Sequence, residues 1–524
     1  MTGKPAFFVT SPIYYVNDVP HVGHAYTTIA CDVLARFKRL DGFDVKFLTG
    51  TDEHGQKVEK AAKAAGVSPQ EFCDRVSGRF RELAATLDIS NTNFIRTTEP
   101  RHTESTQALW KKLAYNGHIY LDRYAGWYSV RDEAYYAENE LTEGPNGEKL
   151  SPFGAPVEWV EEASYFFRLS AFQDKLLQHF EAHPEAIQPV SRRNEVLSFI
   201  RSGLRDLSIS RTSFSWGVPV PGDDAHVMYV WIDALTNYIT ELGYPEWTEE
   251  AQRFWADAVH IVGKDIVRFH AVYWPAFLIG ADLPPPKTVF AHGWWTSEGQ
   301  KMSKSLGNVI DPFALVSDYG VDAFRYFLMR EVPFGNDGDF SMASFFNRVN
   351  SELANSFGNL AQRTLSFIAK NCGGELHLVA TNTDADNDLS GMVGRNLLEQ
   401  MRDHIERFEI HLAIEAWLRA VYAANKYIDE QAPWTLRKTD PDRMNAVLTV
   451  LFMVIRDLAI LIQPFVPEGA AKILDQMAIG ADERAFADVE NTNWFEQYVE
   501  EGRRIGAPSP AFPRIAEPEA SRAG

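Results

Sequence analysis

The chain has 524 residues, of which 45% are hydrophobic and 23% charged, a length that exceeds what one core serves and a balance that leaves little scope for extended disorder. A net charge of −20 argues against a uniformly basic nucleic-acid-binding surface and leaves phosphate contacts to local clusters: Arg192-Arg193, Arg201/Arg205/Arg211 and Lys301/Lys304. Cys31, Cys73 and Cys372 stand too far apart for a disulfide framework or a thiolate zinc site, and no uninterrupted apolar run approaches the roughly 18 residues of a membrane span.

In chain order, Lys4 leads into the apolar run Ala6-Phe7-Phe8-Val9-Thr10-Ser11 without a signal-peptide segment, so a buried strand in a cytoplasmic protein is expected. From residue 22 to 40, Ile29, Val33, Phe37 and Leu40 recur at helical spacing and Asp41-Gly42 stops the helix. Val45-Lys46-Phe47-Leu48-Thr49 predicts a second strand, which runs into Gly50-Thr51-Asp52-Glu53-His54-Gly55. This is the βαβ pattern of a parallel sheet. Residues 116–220 carry Gly144-Pro145-Asn146-Gly147 and the stretch 152–156, which predict hairpins and irregular structure in a small inserted module.

Strand-like runs return at residues 258–262 and 288–292, each ending in a polar loop. After about residue 340 the spacing becomes helical over 345–370, 404–430 and 443–463, and the segment from Gly506 is proline-rich and expected to be only partly ordered. The expected fold class is therefore α/β, a doubly wound parallel sheet of Rossmann type split by a small connective insertion and followed by an α-helical bundle. The units are 1–115, 116–220, 221–345 and 346–505, with 506–524 as a tail. No appended oligonucleotide-binding or dimerisation domain is recognisable, so a monomer is expected.

Two motifs carry chemistry. His21-Val22-Gly23-His24 falls where the first strand's loop becomes the first helix. There free backbone N–H groups and a partial positive charge suit a phosphate, Gly23 permits close approach and the imidazoles can donate hydrogen bonds. Lys301-Met302-Ser303-Lys304-Ser305 places two flexible ammonium groups among small residues, as a transient phosphate clamp requires.

Together these motifs resemble the HIGH and KMSKS signatures of the class I aminoacyl-tRNA synthetases, with Val22 in place of the usual isoleucine. The resemblance implies that His21, His24, Lys301 and Lys304 stabilise the α-phosphorus of ATP while pyrophosphate leaves. It also implies ATP contacts at Gly23, Gly263, Asp265, His292, Gly293, Trp294 and Ser303, with Mg²⁺ accompanying the nucleotide. Ser11-Pro12-Ile13-Tyr14-Tyr15, Gly50 to Gly55, Tyr229 to Ala234 and Gly263 to His270 are similar to the methionyl branch of the family. A thioether needs a polarizable, largely apolar slot, which Pro12, Ile13, Tyr15, Trp231, Ala234, Tyr238, Ile266 and His270 could furnish, while Asp52 is placed to pair with the substrate ammonium.

The interval between His24 and Lys301 is too short for the editing domain of the valine, isoleucine and leucine enzymes, and the thiolates of a cysteinyl zinc pocket are absent. Trp127-Tyr128-Ser129-Val130-Arg131-Asp132-Glu133 lacks the Cys-x-x-Cys pairs of zinc knuckles, so no metal site and no structural zinc are expected. Packing of Tyr120, Tyr124, Trp127, Tyr128, Tyr135 and Tyr136 is expected to hold the module. In the bundle, Asn359 and Arg363 share a helix face and Trp434 follows another helix; the resemblance implies that this trio reads the anticodon of a methionine tRNA. The alternatives left open are another class I specificity, a small-substrate nucleotidyltransferase that would not need the bundle, and a tRNA-binding scaffold without chemistry.

Overall fold

The computed structural model describes residues 3–516 apart from 17–18, 133, 146, 303–306, 381–382, 492–498 and 500–501. Its centre is a seven-stranded sheet. The strands are β1 (Ala6–Thr10), β2 (Tyr14–Tyr15), β3 (Asp44–Asp52), β4 (Asn93–Arg96), β5 (Ile187–Gln188), β6 (Ala258–Gly263) and β7 (Thr288–His292). They run β5-β7-β6-β1-β3-β2, with β4 also on β3, and every pairing is parallel. β1 is buried at every position, as a central parallel strand covered on both faces must be. The chain leaves β1 through helix α1 (Val22–Leu40) to β3 on one side, whereas β6 and β7 were laid on the other side. The order therefore reverses between β1 and β6, and ligands bind outside the carboxyl ends of strands at such a point.

Residues 116–220, expected as one module, divide in the structure. The strands Ile119–Ser129, Ala134–Tyr136, Glu158–Phe167 and Leu207–Ser208 form a separate antiparallel sheet. β5 instead joins the main sheet beside β7, and Leu176, Phe180, Val196 and Ile200 from the flanking helices share a core with Phe8 and Trp274. A strand of two residues is too short to leave a periodicity in sequence. In the separate sheet Tyr120 stacks on Phe166 and Trp127 meets Trp159 edge-on at 5.3 Å; the side chains of Tyr124 and Tyr135 lie outside the described set. A polar knot adds to this packing: Asp132 accepts from Arg131, Tyr136 and Ser151, and its own N–H donates to Ser129.

From Met342 onward the chain is a helical bundle. Its central helix, Pro441–Ile462, is long and apolar enough to cross a membrane but is mostly buried among its neighbours. Residues 506–516 of the proline-rich segment are pinned to the bundle, and 517–524 lie outside the described residues. Gly506 N–H donates to Gln476 O and Ser509 N–H to Gln476 Oε1, while Phe512 is buried beside Gly469 and Phe357. Asn350 pairs with the backbone of Ile515 in both directions. Prolines suit such a strap because they bring no N–H to satisfy.

The bundle is keyed to the catalytic half through buried charge. Arg325, on the helix Val321–Arg330, is fully buried. It donates to Asp32 of α1 at 2.7 Å, to Leu87 O at 3.0 Å and to Pro464 O at 2.9 Å. Lys38 pairs with Glu406, and Asp41 with Arg402 at 2.6 Å.

Candidate active site

His21 is the N-cap of α1, in extended conformation, and its Nδ1 accepts from Gly23 N–H at 3.0 Å. His24 Nδ1 accepts from His21 N–H at 3.1 Å. A backbone amide can only donate, so both Nδ1 atoms carry lone pairs and the proton of each neutral ring sits on Nε2. Burial holds the His24 pKa well below its usual range, with His21 adding to the effect. The capping box thus fixes two imidazoles as neutral N–H donors at a helix N-terminus. A Cβ on residue 23 would come within 2.9 Å of the His21 ring, so glycine leaves the ring its place.

Lys301 enters the same space from the other half of the sheet. It closes the short hairpin of Trp295–Ser297 with Gln300–Lys301, and its Nζ lies 5.9 Å from the centre of the Trp294 ring. Lys264 sits over the same ring at 4.3 Å, held by Asp337 at 2.7 Å, and Trp294 Nε1 donates to Asp265. Ser303 and Lys304 lie outside the described residues. Beyond them Asn308 Nδ2 donates to Lys301 O and Val22 N–H to Ile310 O, so the returning chain touches the first residue of α1. His292 lies between the halves, with its Nε2 2.8 Å from Thr27 Oγ1 of α1.

His21, Gly23, His24, Gly263, Asp265, His292, Gly293, Trp294 and Lys301 all line one cavity of about 750 Å³. Pro12, Ile13, Tyr15, Asp52, Trp231, Ala234, Tyr238, Ile266 and His270 line it as well. Helix α2 (Gln56–Ala65) contributes Lys57 and the inserted module contributes Asp132, neither of which the sequence reading had singled out. Lys57 lies over the Tyr15 ring at 5.0 Å. Nothing local in sequence marks these charges as site residues.

The apolar slot has a defined polar floor. His270 Nδ1 is 3.0 Å from Ile266 O, a contact only an N–H can make, so Nε2 accepts from the Tyr238 hydroxyl at 2.7 Å. Burial pulls the His270 pKa down to about 4, which keeps this tautomer neutral at pH 7. Tyr238 also stacks on His260 with centroids 4.0 Å apart. Trp231 stacks face to face on Phe269 at 3.6 Å, at the start of the π-helical turn Phe269–Tyr273. Such turns occur often at functional sites.

In the bundle, Arg363 lies 5.3 Å from the centre of the Trp434 ring and pairs with Asp429 at 2.8 Å. Asn359 is exposed one turn earlier on the same helix, Asn359–Asn371, and Trp434 is 43% exposed. No group of three or more His, Cys, Asp or Glu suited to a metal occurs among the described residues.

Residues 7–365 match the family described as tRNA synthetases class I (M), and residues 379–523 the anticodon binding domain of methionyl tRNA ligase. The chain is 55% identical to a methionine–tRNA ligase of Mesorhizobium japonicum, covering 98% of each chain. It is 54% identical to that of Brucella suis, over 98% of this chain and 99% of the relative. The chain belongs to the methionyl-tRNA synthetase family. The fold of this synthetase matches that of Mycobacterium tuberculosis methionyl-tRNA synthetase in complex with methionyl-adenylate, with a TM-score of 0.93, 49% identity and coverage of 97% of this chain and all of that one.

Proposed function

We propose that this family member activates methionine with ATP in the cavity between β1 and β6 and then esterifies the 3′ end of a methionine tRNA. In the first step a methionine carboxylate oxygen forms a bond to the α-phosphorus while the bond from that phosphorus to the bridging oxygen of pyrophosphate breaks. The attacking carboxylate is already ionised, so the step calls for alignment and charge relief more than for a base. His21 and His24 donate Nε2–H to the α-phosphate oxygens, and Lys301, with Lys304 expected beside it, meets the charge gathering on pyrophosphate. Gly263, Asp265, His292, Gly293 and Trp294 hold the nucleoside portion.

Asp52, buried at the end of β3, pairs with the methionine ammonium, and the slot of Ile13, Tyr15, Trp231, Tyr238 and His270 takes the thioether. In the second step a ribose hydroxyl of tRNA attacks the carbonyl carbon and AMP departs. Asn359, Arg363 and Trp434 select the tRNA by stacking and edge contacts to anticodon bases. Mg²⁺ brought with ATP would supply neutralisation of phosphate charge beside His21, His24 and Lys301. The same reading has the enzyme work as a monomer in the cytoplasm.

The observation that carries this reading is the convergence of the α1 N-cap histidines and Lys301 on one cavity at the point where strand order reverses. The test is exchange of labelled pyrophosphate into ATP across the twenty amino acids. Exchange with methionine alone supports it, and exchange without preference for methionine refutes it.

A further inference from the structure

Helix α3 (Pro69–Thr86) packs on α2, and helix α4 (Pro100–Tyr115) packs on helix α5 (Val230–Glu241), which forms a wall of the cavity. Trp231, Ala234 and Tyr238 of α5 share one face and line the cavity. Asp233 does not line it: its side chain is fully buried on the side toward α4. Each of its carboxylate oxygens accepts from a different imidazole, Oδ2 from His54 Nδ1 at 2.7 Å and Oδ1 from His102 Nε2 at 2.8 Å. His102, also fully buried, is steadied by Thr240 at 3.1 Å and Thr106 at 3.2 Å.

His54 is two residues past Asp52, and Asp233 is two residues past Trp231. One short buried bond therefore joins the strand end that carries the carboxylate for the ammonium to the helix that carries the indole over the side chain. The rest of that loop is fixed from the other direction. Glu53, fully buried, takes two bonds from Arg96 and one each from Thr51 and Thr98, and Trp216 Nε1 donates to Glu53 O. With Glu53 bound to the sheet side, His54 is the loop's link to α5.

We infer that Asp233 is a positioning residue for methionine: its carboxylate, gripped by His54 and His102, sets the separation between Asp52 and Trp231 without touching the substrate. A buried carboxylate with one strong donor on each oxygen is a stiff joint, because losing either donor leaves a desolvated acceptor behind. ATP binds from the α1 and β7 side of the cavity, so loosening this joint alters methionine binding and spares ATP. This inference rests on the reading that Asp52 and Trp231 hold methionine.

The experiment is methionine-dependent pyrophosphate exchange with the full chain. Asp233→Asn keeps one acceptor and turns an amide nitrogen toward an imidazole N–H. It is expected to raise the methionine KM at least tenfold with the ATP KM changed less than threefold. A methionine KM within twofold of the parent, or equal rises for both substrates, overturns the inference. Should Asp233→Asn fail to fold, His54 decides: His54→Leu removes the donor, whereas His54→Asn can return an N–H to nearly the same place. The methionine KM is expected to rise in the first and stay within threefold in the second, and equal losses in both overturn the inference. Asp52→Asn separates the two readings. If it leaves the methionine KM unchanged, the assignment of the methionine end fails; if it raises that KM while Asp233→Asn does not, the clamp alone fails.

Discussion

Replacing Tyr238 with phenylalanine removes one oxygen from the floor of the methionine slot and keeps the ring that stacks on His260 at 4.0 Å. In the parent, His270 Nδ1–H is committed to Ile266 O and Nε2 accepts from the tyrosine hydroxyl at 2.7 Å. Without that hydroxyl the Nε2 lone pair has no protein donor. In the empty cavity a water can take its place, and the apolar arm of methionine must then expel that water on binding. Leaving a buried acceptor unsatisfied costs about 1–3 kcal/mol. That corresponds to a rise of roughly fivefold to 150-fold in the methionine KM, at about 1.4 kcal/mol per factor of ten. The assay is pyrophosphate exchange at saturating ATP, with the ATP KM measured in parallel as the control. A methionine KM within twofold of the parent, or a parallel rise for ATP, would refute the assignment of Tyr238 and His270 to the slot.

Burial raises the Asp322 pKa from 3.8 to about 6, against the lowering effect of the Gly469 N–H. The folded state then holds this proton more tightly than the unfolded chain does, so stability is full below about pH 4 and falls by on the order of 3 kcal/mol as pH rises through 6. Asp322→Asn cannot ionise and should show a flatter melting-temperature profile from pH 4 to 7; an unchanged slope counts against this. Arg325→Met leaves Asp32 to Arg36 and Ser90 alone and is expected to cost about 3–5 kcal/mol in urea unfolding, a loss under 1 kcal/mol being contrary. Trp434→Ala should lower kcat/KM for tRNA roughly fivefold to 150-fold, the loss of one stacked base at about 1–3 kcal/mol, with pyrophosphate exchange unaffected; loss of exchange would mean the indole serves another role. A Cβ at Gly293 would stand 2.3 Å from Asn336 backbone atoms and 2.5 Å from Asp337 N. Gly293→Ala should therefore displace the Asp337 that holds Lys264 and raise the ATP KM at least tenfold, and an unchanged ATP KM would show that the loop yields without consequence.

The parallel sheet, its two halves and the helical bundle were legible because each rests on a local signal: a short apolar run ending in a polar loop, or apolar residues at helical spacing. The motif residues stood out because histidines at a helix N-terminus and paired lysines suit a phosphate, and the structure brings His21, His24 and Lys301 to one cavity. What stayed hidden depends on contacts between residues far apart in sequence. Asp233 meets His54 and His102 across separations of 179 and 131 residues; His54 and Asp233 fall in family-like stretches, but nothing in sequence pairs them or marks His102. Lys57 sits on a helix whose other positions are largely solvated, so its place on the cavity wall comes only from how α2 is laid against β2. β5 and the docking of Phe512 escaped notice for a related reason. A two-residue strand has no period, and a proline-rich segment looks alike whether it is loose or pinned by one aromatic side chain.

The acidic composition also misled in a way the structure explains. A net charge of −20 says how charges sum and not where they stand, and many of the cations are spent inside the protein. Arg325, Lys38 and Arg402 each bind carboxylates at or near domain junctions. All three contacts involve α1: Asp32 near its middle, Lys38 near its end and Asp41 at its C-cap. The same helix presents His21 and His24 at its other end. Phe37 is further locked against Phe486 at 4.7 Å. A displacement of the bundle must therefore either break the Arg325 bond to Pro464 O and the Lys38–Glu406 and Asp41–Arg402 pairs or carry α1 with it, because a packed interface of this kind does not deform continuously. Contacts at these junctions fix the direction of the helix, and with it the way two imidazoles at its N-terminus face the cavity.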